Sequence, residues 1–161
     1  MGRKYWVNLP PTTVSDAIDL LQLAPVSGSP IRILSTEIGQ TSDFGDSAAE
    51  NLLLAWVRGH STLGSGGTAI TPTPNACPGV AASFSAMGFN TTIASAGTPV
   101  YGPRHCFNIA TGVDRPLLLE EGFECNSAAG SLVLRIIDAN SGTAPIDPLT
   151  IHGCILVEEM G

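Results

Sequence analysis

One uncharged stretch of the sequence limits how the rest of the chain can fold. No Asp, Glu, Lys or Arg occurs in the 45 consecutive residues from Gly59 to Pro103, whereas the overall charged fraction of 13% predicts roughly six. Gly, Pro, Ser and Thr are too frequent there for a packed helix or a run of inner strands. Because apolar residues are also present, the stretch differs from a disordered segment. We predict an excursion that lies against another protein surface, where charges are depleted at the centre; a loop folded over its own domain is the alternative.

Short apolar segments bounded by turn residues lie on both sides of the uncharged stretch. Residues 31–38 alternate between apolar and polar positions, as a half-buried strand does. Residues 52–58 form a continuous apolar run that is typical of a buried strand. Further strands are predicted at residues 14–23, 104–110, 116–119, 123–126, 132–137 and 150–158. Ser47 and Glu50 have the spacing of a capping box, which indicates one helical turn before the apolar run at residues 52–58.

About eight short strands without a long helical pattern predict an all-β domain. An eight-stranded antiparallel β-sandwich of the jelly-roll type fits this number, with the uncharged stretch as a long insertion between the fourth and fifth strands. Residues 5–9 are also strand-like, but Pro10 and Pro11 follow them, so we predict an N-terminal arm over residues 1–13, with an edge strand as the alternative. A single jelly-roll domain is predicted over residues 14–161, and residues 59–103 are its interaction excursion.

The charge balance limits the partners. The net charge is −7 and only Arg3 and Lys4 are adjacent basic residues, whereas binding to a nucleic-acid backbone requires clustered Lys and Arg. The first residues, MGRKYWVNLPP, lack the apolar run of a signal peptide, and no window approaches the ~18 apolar residues of a membrane span. We therefore expect neither a nucleic acid nor a membrane as partner, and a protein that stays in the cytoplasm where it is made or leaves it by lysis.

The four cysteines, Cys77, Cys106, Cys125 and Cys154, are widely spaced and form no C-x-x-C pair. Their spacing does not match a zinc site. Free, mostly buried thiols are the prediction for a protein made in a reducing cytoplasm. A disulfide that forms after release from the cell is the alternative.

Three histidines, His60, His105 and His152, are the candidate metal ligands. A jelly roll of the cupin type gathers histidines at its mouth, because imidazole binds zinc, iron and copper. That arrangement requires two histidines separated by one residue with a Glu shortly after, and the sequence has no such pair. We therefore predict no metal site and no cofactor, and a cupin-like metalloenzyme remains only as a third alternative.

Other chemistry-bearing residues also lack a catalytic arrangement. The carboxylates of Asp43, Asp46 and Glu50 do not alternate as the ligands of an EF-hand loop do. Cys106 is adjacent to His105, and neighbouring residues on a strand point to opposite faces, so they do not form a nucleophile–base pair. The sequence therefore predicts no catalytic residue and no enzyme.

Residues 33–74 contain a characteristic succession of segments. A strand ends in E-x-G-Q at residues 37–40, and an acidic, Ala-rich loop follows at 43–50. A second strand over residues 52–60 ends in R-G-H, and a Gly-Ser-Gly-Gly segment then leads into Thr-Pro within residues 64–74. In this arrangement, over about a quarter of its length, the chain resembles small structural proteins of tailed bacteriophages. Within that group, jelly-roll cement or decoration proteins bind the outside of an icosahedral head and bridge neighbouring major capsid protein subunits.

The resemblance implies a non-enzymatic protein of the outer capsid surface, made in the cytoplasm of a bacterial host. Its partners would be the major capsid protein and further copies of itself, as a trimer or dimer that packs through part of the uncharged stretch. Because aromatic residues dominate such contacts, the interface residues that we predict are Arg3, Lys4, Tyr5, Trp6, Phe84, Phe89 and Tyr101. The alternative is another jelly-roll component of a virion, such as a head fibre, a tail protein or a receptor- or glycan-binding protein.

Overall fold

The structure is a computed structural model that describes residues 2–15, 18–42, 51–108, 112–137 and 148–161. These ranges contain twelve β-strands, two short 3-10 helices and no α-helix. No helix within them has the length and the apolar character of a membrane span. The strands are β1 Arg3–Val14, β2 Asp19–Ala24, β3 Ile31–Gln40, β4 Asn51–His60, β5 Thr68–Ile70, β6 Thr73–Pro74, β7 Ser85–Asn90, β8 Val100–Asn108, β9 Val113–Pro116, β10 Phe123–Cys125, β11 Ser131–Ile137 and β12 Leu149–Glu159.

The strands form two antiparallel sheets. Sheet A has the order β10-β3-β12-β1-β6, and β9 pairs with β3 beyond β10 along the same edge. Sheet B has the order β5-β7-β2-β11-β4-β8. The described residues therefore form an all-β fold with two antiparallel sheets, as the sequence predicts.

The core lies between the two sheets. Alternate residues of the strands point inwards, so that Val7 and Ile33 of sheet A and Leu54 and Leu134 of sheet B are fully buried in one apolar cluster. Trp56 is the largest fully buried side chain. Its Nε1 donates a hydrogen bond of 3.0 Å to Oγ1 of Thr36 in the opposite sheet, which satisfies the polar groups that burial would otherwise leave unpaired.

Most predicted strands are confirmed, including those at residues 31–38, 52–58, 132–137 and 150–158. The number differs, because the described ranges contain twelve strands rather than eight. The segment predicted as one strand over residues 14–23 contains the end of β1 and most of β2, which starts at Asp19. The helical turn predicted at Ser47 and Glu50 lies outside the described residues.

The prediction of an N-terminal arm is wrong. Strand β1 runs from Arg3 to Val14 and pairs with β12 from Arg3 opposite Glu159 to Val14 opposite Leu149, and β6 pairs with its other edge. The register shifts between Leu9 and Thr12, where the two prolines cannot donate hydrogen bonds. A β-bulge accommodates such residues within a strand, so Pro-Pro interrupts the pairing locally and does not end the strand.

The uncharged stretch is not a single excursion. It contains β5, β6 and β7 and the beginning of β8. Strand β7 pairs with β2 and β5 pairs with β7, so both extend sheet B, whereas β6 extends sheet A. The alternative of a segment folded over its own domain therefore describes residues 59–103 better than our first prediction does.

Candidate interaction surface

Two segments of the uncharged stretch, residues 61–66 and 91–98, lie together on the outer face of sheet B. We call them the neutral cap. Isolated bridges join Thr62 to Ser95 and Ser65 to Thr92, with four backbone hydrogen bonds of 2.9–3.0 Å. The two segments therefore support each other as one unit rather than as separate loops.

The underside of the neutral cap is apolar. Ala94 is buried in a second, smaller cluster with Ala55, Val57 and Val133. The neighbours of these strand residues, such as Trp56, point into the main core, so the second cluster lies on the opposite face of sheet B. The middle of sheet B is thus buried on both faces, which explains why residues 52–57 read as a continuous apolar run.

A buried ion pair holds the neutral cap against sheet B. Asp19 of β2 is fully buried, and the Arg135 side chain of β11 is 13% exposed. Nε of Arg135 donates to Oδ1 of Asp19 at 2.5 Å, and Nη2 donates to Oδ2 at 3.1 Å. The same pair binds the backbone of Ala94, because the Ala94 N–H donates to Oδ2 at 2.7 Å and the Ala94 carbonyl accepts from Nη2 at 2.7 Å.

The other half of the neutral cap has its own contact with sheet B. The backbone N–H of Gly64 donates to Oε1 of Gln22 at 2.7 Å. A Cβ atom on Gly64 would lie 2.7 Å from Nδ2 of Asn90 and from the carbonyl oxygen of Thr92, so only glycine permits this close approach. Both halves are therefore anchored by buried polar side chains, and charge-assisted contacts such as those at Ala94 are the stronger kind.

Further polar groups are buried at the same face of sheet B. His60 and Ser131 stand opposite each other at the ends of β4 and β11, and both are buried. Burial lowers the pKa of His60 below its ordinary value, and the positive charge of Arg135 lowers it further. His60 is therefore held in the neutral form at neutral pH.

The outer surface of the neutral cap is uncharged, and two aliphatic side chains lie on it among exposed Ser, Thr, Gly and Ala residues. Leu63 is 51% exposed and Ile93 is 39% exposed, and both lie between the same two bridges. Among the described residues, five of the seven exposed large hydrophobic side chains belong to the uncharged stretch. These five are Leu63, Val80, Ile93, Val100 and Tyr101.

A second surface lies at the edge of sheet A, and we call it the N-terminal groove. It has a volume of about 390 Å³ and is lined by Gly2, Arg3, Lys4, Tyr5, Pro74, Asn75, Ala76, Gly79 and Val80. The N–H of Asn75 donates to the carbonyl of Lys4 at 2.8 Å, and Nε1 of Trp6 donates to Oδ1 of Asn75 at 2.9 Å. The groove thus joins the chain's one pair of adjacent basic residues to the uncharged segment around Val80, which is 64% exposed.

No family model, curated protein or solved structure matches this chain.

Three of the predicted interface residues are buried inside the chain. Tyr5, Phe84 and Phe89 are 1%, 3% and 8% exposed, and the rings of Tyr5 and Phe84 pack edge to face with centroids 5.6 Å apart. They belong to the main core and are not available to a partner in this fold, which corrects the prediction. Aromatic residues in an uncharged stretch fit a core as well as an interface, and the sequence alone does not distinguish the two.

The remaining predicted interface residues reach the surface. Arg3 and Lys4 are exposed and Trp6 is partly exposed, and all three lie at or beside the N-terminal groove. Tyr101 is 47% exposed, and the Arg104 guanidinium lies 5.1 Å from its ring centroid. Leu63, Val80 and Ile93 are exposed but are not among the predicted interface residues, although isolated apolar residues in a run of Ser, Thr and Gly were the available signal.

The histidines do not converge. Within the described ranges, no group of three or more His, Cys, Asp and Glu side chains is placed to hold a metal ion. His60 lies at the end of β4, His105 is buried on β8, and His152 borders a groove of about 490 Å³ on sheet A. Burial lowers the pKa of His105, and so does the nearby charge of Arg115. The candidate carboxylates at positions 43, 46 and 50 lie outside the described residues.

The four cysteines are free, but they are less buried than predicted. Cys77 and Cys106 are exposed, Cys154 is partly buried and only Cys125 is buried. Burial raises the pKa of Cys125 to about 11, and burial followed by the charge of Glu37 raises the pKa of Cys154. The exposed thiols lie in a surface turn and on edge strand β8, where no second layer covers them.

Proposed function

We propose that the chain is a non-enzymatic structural protein of a phage virion, which cements or decorates the icosahedral capsid by bridging major capsid protein subunits as a homo-oligomer. The observation that carries this proposal is the neutral cap, an exposed surface without charge whose two aliphatic side chains, Leu63 and Ile93, are held in place by buried contacts. Charge depletion and a rigid apolar centre are properties of protein–protein contact surfaces. The resemblance of residues 33–74 supplies the assignment to a phage virion.

The rigidity of the neutral cap favours binding. A flexible loop loses conformational freedom when a partner orders it, and this loss weakens binding. Here the Asp19–Arg135 pair and Gln22 already order the backbone around Leu63 and Ile93. A partner therefore gains the apolar contact with a small entropic cost.

The strand orders support a jelly roll as the finer description of the fold. If β5, β6 and β7 are counted as an insertion and β9 and β10 as one interrupted strand, eight strands remain. Numbered 1 to 8 along the chain, they give the orders 1-8-3-6 in sheet A and 2-7-4-5 in sheet B. With this count the orders match those of an eight-stranded jelly roll with an insertion between the fourth and fifth strands, and this match supports the proposed fold.

A bridging protein needs more than one contact surface, and the chain offers two. The neutral cap lies on the outer face of sheet B, whereas the N-terminal groove lies at the β1–β6 edge of sheet A. The groove adds two exposed basic side chains, Arg3 and Lys4, to an otherwise acidic protein. We assign it to the major capsid protein. The net charge of −7 fits a location on the outer capsid surface, away from the packaged DNA.

The test adds purified protein to undecorated heads of the phage whose genome encodes the chain and measures co-sedimentation. Wild-type protein is expected to saturate at a fixed number of copies per head. Val80→Asp and Lys4→Glu in the groove are expected to weaken binding at least tenfold, since both alter an exposed contact. Val26→Asp is the matched control, because Val26 is 44% exposed and lies in the β2–β3 turn.

Two results would contradict the proposal. One is wild-type protein that does not bind heads at all. The other is a handful of copies per purified virion together with binding on a glycan screen, which would identify a receptor-binding or tail component instead.

A further inference from the structure

We infer that the neutral cap is the contact surface for a second copy of this chain, in a twofold dimer centred on Leu63 and Ile93. The inference deepens the proposed function, because it names the surface and the partner of the homo-oligomer. Three observations carry it: the charge distribution, the geometry of the neutral cap and the protection of the edges of sheet B.

The charge distribution favours the neutral cap over the outer face of sheet A as the surface for self-association. Two copies with a net charge of −7 each repel one another. In a twofold contact the residues near the axis face their own copies, so any charged residue there meets an identical charge. The outer face of sheet A has ionised side chains, including Lys4, Arg32, Glu37 and Glu158, on neighbouring strands. Residues 59–103 have none, so the neutral cap can meet itself without opposing like charges.

The geometry of the neutral cap suits a symmetric contact. Leu63 and Ile93 lie on adjacent backbones between two bridges, so that two half-exposed aliphatic side chains form the centre of the surface. Their neighbours Thr62, Ser65 and Thr92 are exposed and can donate or accept hydrogen bonds at the rim. An apolar centre with a polar, uncharged rim is the usual anatomy of a protein interface.

The edges of sheet B are protected against the competing mode of self-association, which is strand addition. The long edge strand β8 contains Pro103, Arg104 and a register shift opposite β4, and prolines, charges and bulges prevent edge pairing. At the other edge of sheet B, β5 has only three residues. At sheet B, contact between faces is therefore favoured over contact between edges.

The test is sedimentation velocity of the full chain over a concentration series. Wild-type protein is expected to show a monomer–dimer equilibrium, and Leu63→Asp or Ile93→Asp is expected to weaken it about 10- to 100-fold. Val26→Asp and Leu118→Asp are the controls, because they place the same new charge at exposed apolar residues outside the neutral cap. Thermal unfolding of each variant shows whether the fold is intact, and Leu63→Ser provides an uncharged variant that weakens the dimer without added repulsion.

Salt gives a second, independent readout. Because the contact has no ion pairs and the two copies repel, screening is expected to tighten the dimer about tenfold between 10 mM and 150 mM NaCl. An interface built on opposite charges would weaken instead, and that sign would overturn the inference. The inference would also be overturned if Leu63→Asp and Ile93→Asp left the dimer unchanged. A wild-type monomer that binds heads through the neutral cap would overturn it as well. A dimer lost in both variants, in a protein that never binds heads, would support the inference and refute the capsid function.

Discussion

Replacement of Asp19 by Ala tests whether the buried ion pair holds the neutral cap. The change removes the acceptor for both Arg135 and the Ala94 N–H, and it leaves the Arg135 guanidinium, 13% exposed, without its carboxylate. Removing one partner of a buried pair costs about 3–5 kcal/mol. Single domains have about 5–15 kcal/mol of total stability, so the variant is expected to fold but to be much less stable.

Two measurements check this expectation. Urea unfolding followed by tryptophan fluorescence should show the midpoint falling by about 2 M, given a slope of about 2 kcal/mol per M. Hydrogen exchange should become faster in residues 91–98, whereas the core strand β12 should change only in proportion to global stability. Glu124→Ala is the matched control, because Glu124 pairs with Arg32 but its side chain is 46% exposed, and such pairs contribute only about 0–1 kcal/mol.

The double variant Asp19→Leu with Arg135→Met separates charge from anchoring. It removes the unpaired charge, so part of the lost stability should return, but the Ala94 N–H and carbonyl still lack their partners. Fast exchange at residues 91–98 should therefore persist. A loss below about 1 kcal/mol in Asp19→Ala, with unchanged exchange in the neutral cap, would refute the reasoning.

Two further predictions concern titration and thiol reactivity. The pKa values of His60 and His105 lie below the ordinary 6.5 in the folded chain, so the unfolded chain binds more protons below that pH. The contribution of these two histidines to the free energy of unfolding is then fully present above about pH 6.5 and is lost as the pH falls towards their lowered pKa values. The urea midpoints at pH 8 and pH 5 should therefore differ less in the variant with both residues changed to Gln. In native protein, Cys77 and Cys106 should react rapidly with Ellman's reagent and Cys125 only after unfolding; fast reaction of all four would contradict the burial of Cys125.

The all-β class and many strands could be predicted from local pattern. Residues 31–38 and 132–137 show clear apolar patterns because each strand packs against a core, and such patterns are local in sequence. The continuation of β1 through Pro10 and Pro11 could not be predicted, because it depends on the pairing of β1 with the distant β12. Tertiary pairing outweighs local breaking signals there.

The candidate surface was predictable only in outline. The lack of charge over residues 59–103 indicated a surface for a partner, but not that three strands lie within it. Phe84 and Phe89 were assigned to the interface, whereas they are buried in the core. The ion pair that shapes the surface joins Asp19 to Arg135, and no local pattern relates two residues so far apart.

That separation has a consequence for the order of events during synthesis. Asp19 and Arg135 are 116 positions apart in the chain, and contacts of such long range form late in folding. A growing polypeptide on the ribosome has Leu63 and Ile93 long before it has β11, so these side chains acquire their final arrangement only when the last quarter of the chain emerges. The neutral cap is therefore among the last parts of the domain to reach its final structure as the chain is synthesised.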